Sequence, residues 1–81
     1  MTIHARETPL TKRQKQVLRF IRRKIIQGLP PTRREISADG LGSDNPGASV
    51  SHLEALEKKG YIKRFPRISR GIRLTKLGKE Q

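Results

Sequence analysis

Helix starts and stops punctuate this chain so closely that neither a long helix nor a large sheet fits between them. Thr11-Lys12-Arg13-Gln14 places a hydroxyl at an N-cap and a glutamine three residues on, the pattern of a capping box. Val17, Leu18, Ile21 and Ile25 then recur on one helical face. Gly28 sits where such a helix stops, and Leu29-Pro30-Pro31 makes a stiff, extended connection. A second box, Thr32-Arg33-Arg34-Glu35, opens a short helix carrying Ile36, with Leu41 near its end. Gly40, Gly42 and Ser43-Asp44 break it. Asn45-Pro46 reads as an N-cap with proline in the first helical position. Ser49, Leu53 and Leu56 then fall at i, i+4 and i+7, so a third helix lays that face on the core. Lys58 and Lys59 suit its C-terminal dipole, and Gly60 its stop.

After Gly60 the period changes. Tyr61-Ile62-Lys63-Arg64-Phe65 is aromatic and β-branched, residues 66–69 can turn the chain, and Gly71-Ile72-Arg73-Leu74 alternates with Ile72 and Leu74 on one face. The spacing predicts a short β-hairpin. Three helices followed by a hairpin is the order of a winged helix-turn-helix, a mainly α fold with a small β-hairpin. The expected organisation is a flexible arm over residues 1–9, the folded domain over 10–75 and a frayed end over 76–81.

Charge narrows the function. The chain has 81 residues, 19 Lys and Arg against 7 Asp and Glu, and a formal net charge of +12, which points to a polyanion and most directly to nucleic acid. The cations flank the chain's middle: from Glu35 to Glu57 there is no Lys or Arg, while Glu35, Asp39, Asp44, Glu54 and Glu57 are acidic. Apolar residues interrupt the basic stretches at regular intervals, as in a folded body with basic surfaces rather than a basic tail. With 32% hydrophobic residues there is enough for one modest core. There is no cysteine, so a disulfide scaffold and a zinc knuckle are excluded. No apolar run approaches the roughly 20 residues of a membrane span, and residues 1–9 have no apolar signal-peptide core. A cytoplasmic, nucleoid-associated location is the expectation. His4 and His52 cannot complete a metal site alone, and Ser51-His52, adjacent on a helix, do not face each other as a catalytic pair. No cofactor, metal, small-molecule substrate, membrane or enzymatic activity is expected.

Several stretches resemble the N-terminal DNA-binding domain of LexA-type repressors of bacteria. They are Leu10-Thr11 with Arg13-Gln14, Pro30-Pro31-Thr32-Arg33 with Glu35-Ile36, His52-Leu53 with Ala55-Leu56, Lys59-Gly60, and Ser69-Arg70-Gly71-Ile72-Arg73-Leu74. The Pro-Pro-Thr-Arg stretch and the last six residues are specific in combination. The resemblance implies a winged helix-turn-helix on double-stranded DNA. It implies base readout from Asn45, Gly47, Ala48, Val50 and Ser51, and backbone contacts from Arg13, Thr32, Arg33, Lys58, Lys59, Ser69 and Arg70. Two glutamates of the family pattern are replaced by Val50 and Ser51, and an asparagine by Gly47, so a different target sequence is implied. The family continues into a Ser/Lys self-cleaving, dimerising domain that this sequence does not include, so the expectation is either a free-standing small regulator or a shortened piece of a longer one.

The residue chemistry agrees with such a helix. Asparagine pairs with adenine, serine with either kind of base, and Val50 or Ala48 can touch a thymine methyl. Val50 can equally be a core residue, and Ser51 merely solvated. The third helix holds no arginine, so the commonest guanine contact is missing and more weight falls on DNA shape. Backbone contacts set register and salt-dependent affinity rather than sequence choice. The leading reading is a sequence-specific regulator, a repressor by occlusion, pairing weakly with itself on DNA or with a protein partner. Two others stand beside it. One is sequence-tolerant nucleic-acid binding. The other is a protein-interaction module using the acidic stretch Glu35 to Glu57 on polymerase or a host repressor.

Overall fold

Both capping boxes close in a computed structural model of the chain, which describes residues 10–80. The expected arm over residues 1–9 lies outside the described residues. At the first box Thr11 Oγ1 accepts from Gln14 N at 3.1 Å, and Thr11 N donates to Gln14 Oε1 at 3.2 Å. Helix α1 follows over Lys12–Ile26. It buries Val17, Leu18, Phe20 and Ile21, with Ile25 packed at the core's margin. Phe20 widens the stripe read from the sequence. Gly28, at φ +109°, ends the helix: its N–H reaches Ile25 O and the Leu29 N–H reaches Lys24 O, a double closure that needs the left-handed residue.

Helix α2, Arg33–Glu35, is one α-turn that widens into a π-helical turn over Ile36–Gly40, closed by Leu41 N donating to Ile36 O. Gly40, expected as a breaker, lies inside this turn. A Cβ there would stand 3.1 Å from Phe20 Cγ, so glycine lets the turn seat against the ring of α1. Gln16 Nε2 donates to Gly40 O at 2.7 Å and fixes the same junction.

The third helix, α3, spans Val50–Lys58, later than Asn45-Pro46 suggested. The Asn45 side chain caps a turn instead: its Oδ1 accepts from Gly47 N at 2.9 Å. Pro46 O accepts from the buried Ser37 Oγ at 2.9 Å. Ser49, Leu53 and Leu56 are buried together as the spacing predicted, facing α1.

Strands β1 (Ile62–Arg64) and β2 (Ile72–Leu74) form an antiparallel hairpin with Ile62 opposite Leu74, Lys63 opposite Arg73 and Arg64 opposite Ile72. Ile62 and Ile72 turn into the core beside Tyr61. The residues beyond, expected as part of a frayed end, include a four-residue helix, α4 (Lys76–Lys79). Thr75 caps it, accepting from Gly78 N at 3.1 Å, and Gly78 packs against the Tyr61 backbone while Leu77 covers the core. The three helices and the hairpin are a winged helix-turn-helix with one core.

Candidate nucleic-acid interface

The core face of α3 dictates what its other face offers. With Ser49, Leu53 and Leu56 turned inward, Ser51, Glu54 and Lys58 form an exposed row at i, i+3 and i+7, about 10 Å long. Val50 is half-buried at the helix start, as is Ala48 before it. Asn45 and Gly47 are exposed at the mouth of the turn that feeds the helix. Gly47 N donates to Asn45 Oδ1, which orients the Asn45 amide with its NH₂ directed away from that bond. All five residues expected to read bases thus lie on one turn and the first helical residues after it.

This turn is anchored by a buried polar knot. Ser37 Oγ lies 3.0 Å from Ser49 Oγ and accepts from Ser49 N at 3.1 Å, while Ser49 Oγ donates to Arg33 O at 3.2 Å. The knot links the π-turn, the approach to α3 and the start of α2. It therefore fixes Arg33 relative to the residues expected to read bases. Arg33 and Arg34 are exposed at the N-terminal end of α2, and Thr32 is half-buried there.

The wing closes over that same end. A groove of about 440 Å³ separates α2 from the hairpin loop, with Thr32, Arg33 and Arg34 on one side and Phe65, Ile68 and Ser69 on the other. Ser69 is exposed at the wing tip. Arg70 is not held out toward solvent in the way its wing-tip position suggested. It adopts a left-handed φ of +56°, and its guanidinium bonds Glu35 and the Pro30 carbonyl. The forked pair to Glu35 and the bond to the Pro30 carbonyl hold the side chain in this left-handed backbone position. Glu35 accepts at the same time from Thr32 N, and the arginine beside it holds its carboxyl down at about 2. Gly71 follows, where a Cβ would collide with the carbonyls of Phe65 and Ile68.

At the far end, Lys59 Nζ donates to Gln14 Oε1 at 2.8 Å. This half-buried lysine ties the end of α3 to the start of α1. It brings exposed Arg13 and Lys58 to one end of the exposed row of α3, opposite Arg33 and the wing. Glu57, lowered by the neighbouring Arg64 guanidinium, pins the last turn of α3 to β1 with Nε to Oε1 at 2.8 Å. His52 is half-buried on α3.

Three residues belong to this surface or its support without having been singled out from sequence. Glu54 stands in the middle of the exposed row, where a carboxylate can accept from cytosine N4. Its position at i+3 from Ser51 was the available signal. Arg34 lines the wing groove beside Arg33. Ser37 had no signal, because its partner is twelve residues away.

The LexA DNA binding domain model matches residues 7–71. The chain is 49% identical over 74 residues to a LexA repressor of Shewanella sediminis, covering 90% of this chain and 35% of that protein. A LexA repressor of Shewanella baltica is 53% identical over 68 residues, covering 83% of the chain and 32% of that protein. One of Hahella chejuensis is 56% identical over 66 residues, covering 80% and 32%. The chain spans about a third of the length of these curated relatives.

Proposed function

The chain belongs to the LexA DNA-binding domain family, and on that premise we propose that it is a sequence-specific regulator of transcription that represses by occupying duplex DNA. The exposed row of α3 supports this reading best: it is flanked at one end by Arg33, Arg34 and the wing, and at the other by Arg13 and Lys58. A helix placed in the major groove with cations at both ends meets a phosphate strand on each side. Asn45, Gly47, Ala48, Val50 and Ser51 read base edges, with Glu54 joining them. Arg13, Thr32, Arg33, Lys58 and Ser69 hold the backbone. Lys59 and Arg70, both engaged inside the domain, act mainly by placing α3 and the wing.

A module of this size buries on the order of 600–1,000 Å² on DNA, little for strong specificity. Two copies on an inverted repeat supply the rest. Selection from a random duplex library at about 0.15 M salt tests the reading. An enriched inverted repeat is the expected result, with a spacing that gives the geometry. Binding without any enriched sequence would mean sequence-tolerant attachment, which the lack of arginine on α3 would then explain.

A further inference from the structure

We propose that the solvent face of α1 is a second duplex-binding surface, so that one copy of the domain holds two DNA segments at once. The proposal rests on the reading of α3 as the first surface. Lys12, Lys15, Arg19 and Arg23 recur at steps of three, four and four, all four exposed, and α1 contains no Asp or Glu. None of the four has an ion pair among the described residues. They border a groove of about 570 Å³ floored by Phe20 and Gly40, and the Arg23 guanidinium lies 5.7 Å from the Phe20 ring centre.

Geometry separates this face from the first. The buried side of α1 packs on α3, so its solvent side points away from the row Ser51, Glu54 and Lys58. Packed helices lie 8–10 Å apart and each is about 10–12 Å across, so the two outer faces are roughly 20 Å apart. A phosphate held at one cannot be held at the other. Cations on the far face therefore add little to the grip on the first duplex, because screening acts over about 8 Å at physiological salt.

Duplex DNA fits the row better than an acidic protein does. The four cations span about 16 Å of helix. DNA carries one charge per about 1.7 Å of axis and meets them in any register, whereas a protein needs carboxylates matched to each. An apolar anchor for a protein partner would be expected between the cations, but the exposed apolar side chain on this face, Ile26, stands at its C-terminal end, one turn past Arg23 and bordered by Arg19, Arg22 and Arg23.

The test uses the full chain and two duplexes of about three helical turns, one on beads and one fluorescent. Monomeric protein, verified by sedimentation, is expected to retain the fluorescent duplex. Capture per protein retained on the bead duplex should fall with salt at a logarithmic slope of about −3 to −4, the value for four phosphates. Replacing the four cations together (Lys12→Gln, Lys15→Gln, Arg19→Gln, Arg23→Gln) should cut capture about tenfold while single-duplex affinity changes less than about threefold. Glutamine keeps the helix propensity. The charge-preserving set Lys12→Arg, Lys15→Arg, Arg19→Lys, Arg23→Lys should still capture. Retention of the bead duplex alone would overturn the proposal and leave the α3 reading intact. Equal capture by the glutamine variant, or capture only by paired protomers, would also overturn it. Failure to hold even the first duplex would instead sink the α3 reading, and this proposal with it.

Discussion

Arg70 and Glu35 meet across thirty-five residues of chain through two parallel hydrogen bonds, Nη1 to Oε1 at 2.8 Å and Nη2 to Oε2 at 3.0 Å. The pair clamps the wing to the first turn of α2. Glu35 carries the pH dependence of the clamp. Its carboxyl lies at about 2 rather than 4.5, so the folded chain binds that proton less readily than the unfolded one. The stabilisation is complete above about 4.5 and is lost as pH falls toward 2. Urea unfolding followed from pH 7 downward should show this decline, and Glu35→Gln should make it shallower, leaving the share that Glu57 contributes through Arg64.

Removing the arginine should act through the wing's position. Arg70→Ala frees the wing and leaves the Glu35 carboxylate with the Thr32 N–H alone of the partners described above. Affinity should fall by a similar factor on all sequences, and Glu35→Gln, which breaks the same forked pair and keeps the arginine, should show a similar loss. Unchanged or tighter binding by Glu35→Gln beside a loss in Arg70→Ala would mean that Arg70 itself contacts phosphate. Anisotropy titrations on matched and scrambled duplexes decide this.

Asn45 and Arg33 should separate reading from holding. Asn45→Asp keeps the oxygen that caps Gly47 N and removes the amide donor. Preference at one base position should relax by about 1–3 kcal/mol with the fold unchanged. Arg33→Ala should weaken all sequences and lower the salt slope by about one. Repeated library selection with each variant checks both.

The serine knot should be sensitive to which hydroxyl is removed. Ser37→Ala strands the buried Ser49 N–H and the Pro46 carbonyl, at about 1–3 kcal/mol. Ser49→Ala removes the bond to Arg33 O and the contact with Ser37 Oγ, at about 1 kcal/mol, because Ser37 Oγ keeps the Pro46 carbonyl and the Ser49 N–H. In a domain this small each kcal/mol is worth about 4–8 °C, so melting curves should rank Ser37→Ala below Ser49→Ala.

Gly71→Ala should displace the hairpin loop without unfolding the helices. The added methyl meets two carbonyl oxygens, and the overpacking costs about 1–3 kcal/mol. Amide chemical shifts should move over residues 65–71 and stay fixed in α1.

Much of this was legible in the chain itself, for local reasons. The capping boxes at Thr11 and Thr32 act within three residues, and the inward face of α3 follows from spacing alone. What was hidden depends on partners far along the sequence. Arg70 looked like a free wing-tip cation because Glu35 is remote from it. Asn45-Pro46 looked like a helix start because its use as a turn depends on Ser37 accepting a neighbour's N–H and filling the Pro46 carbonyl. The π-turn depends on Phe20 pressing on Gly40, which no local propensity encodes. The candidate reading residues were visible through resemblance, and Glu54 only once the exposed row of α3 was fixed.

The register of the hairpin has an electrostatic consequence. Lys63 and Arg73 stand directly opposite each other, both exposed. Like charges facing across two strands repel, which weakens the ladder they share. A passing anion removes that repulsion, whether a dissolved salt ion or a phosphate group. The three-residue strands are thus most firmly zipped when negative charge lies against them, and a moderate rise in ionic strength should tighten this hairpin even as it loosens the domain's hold on a polyanion.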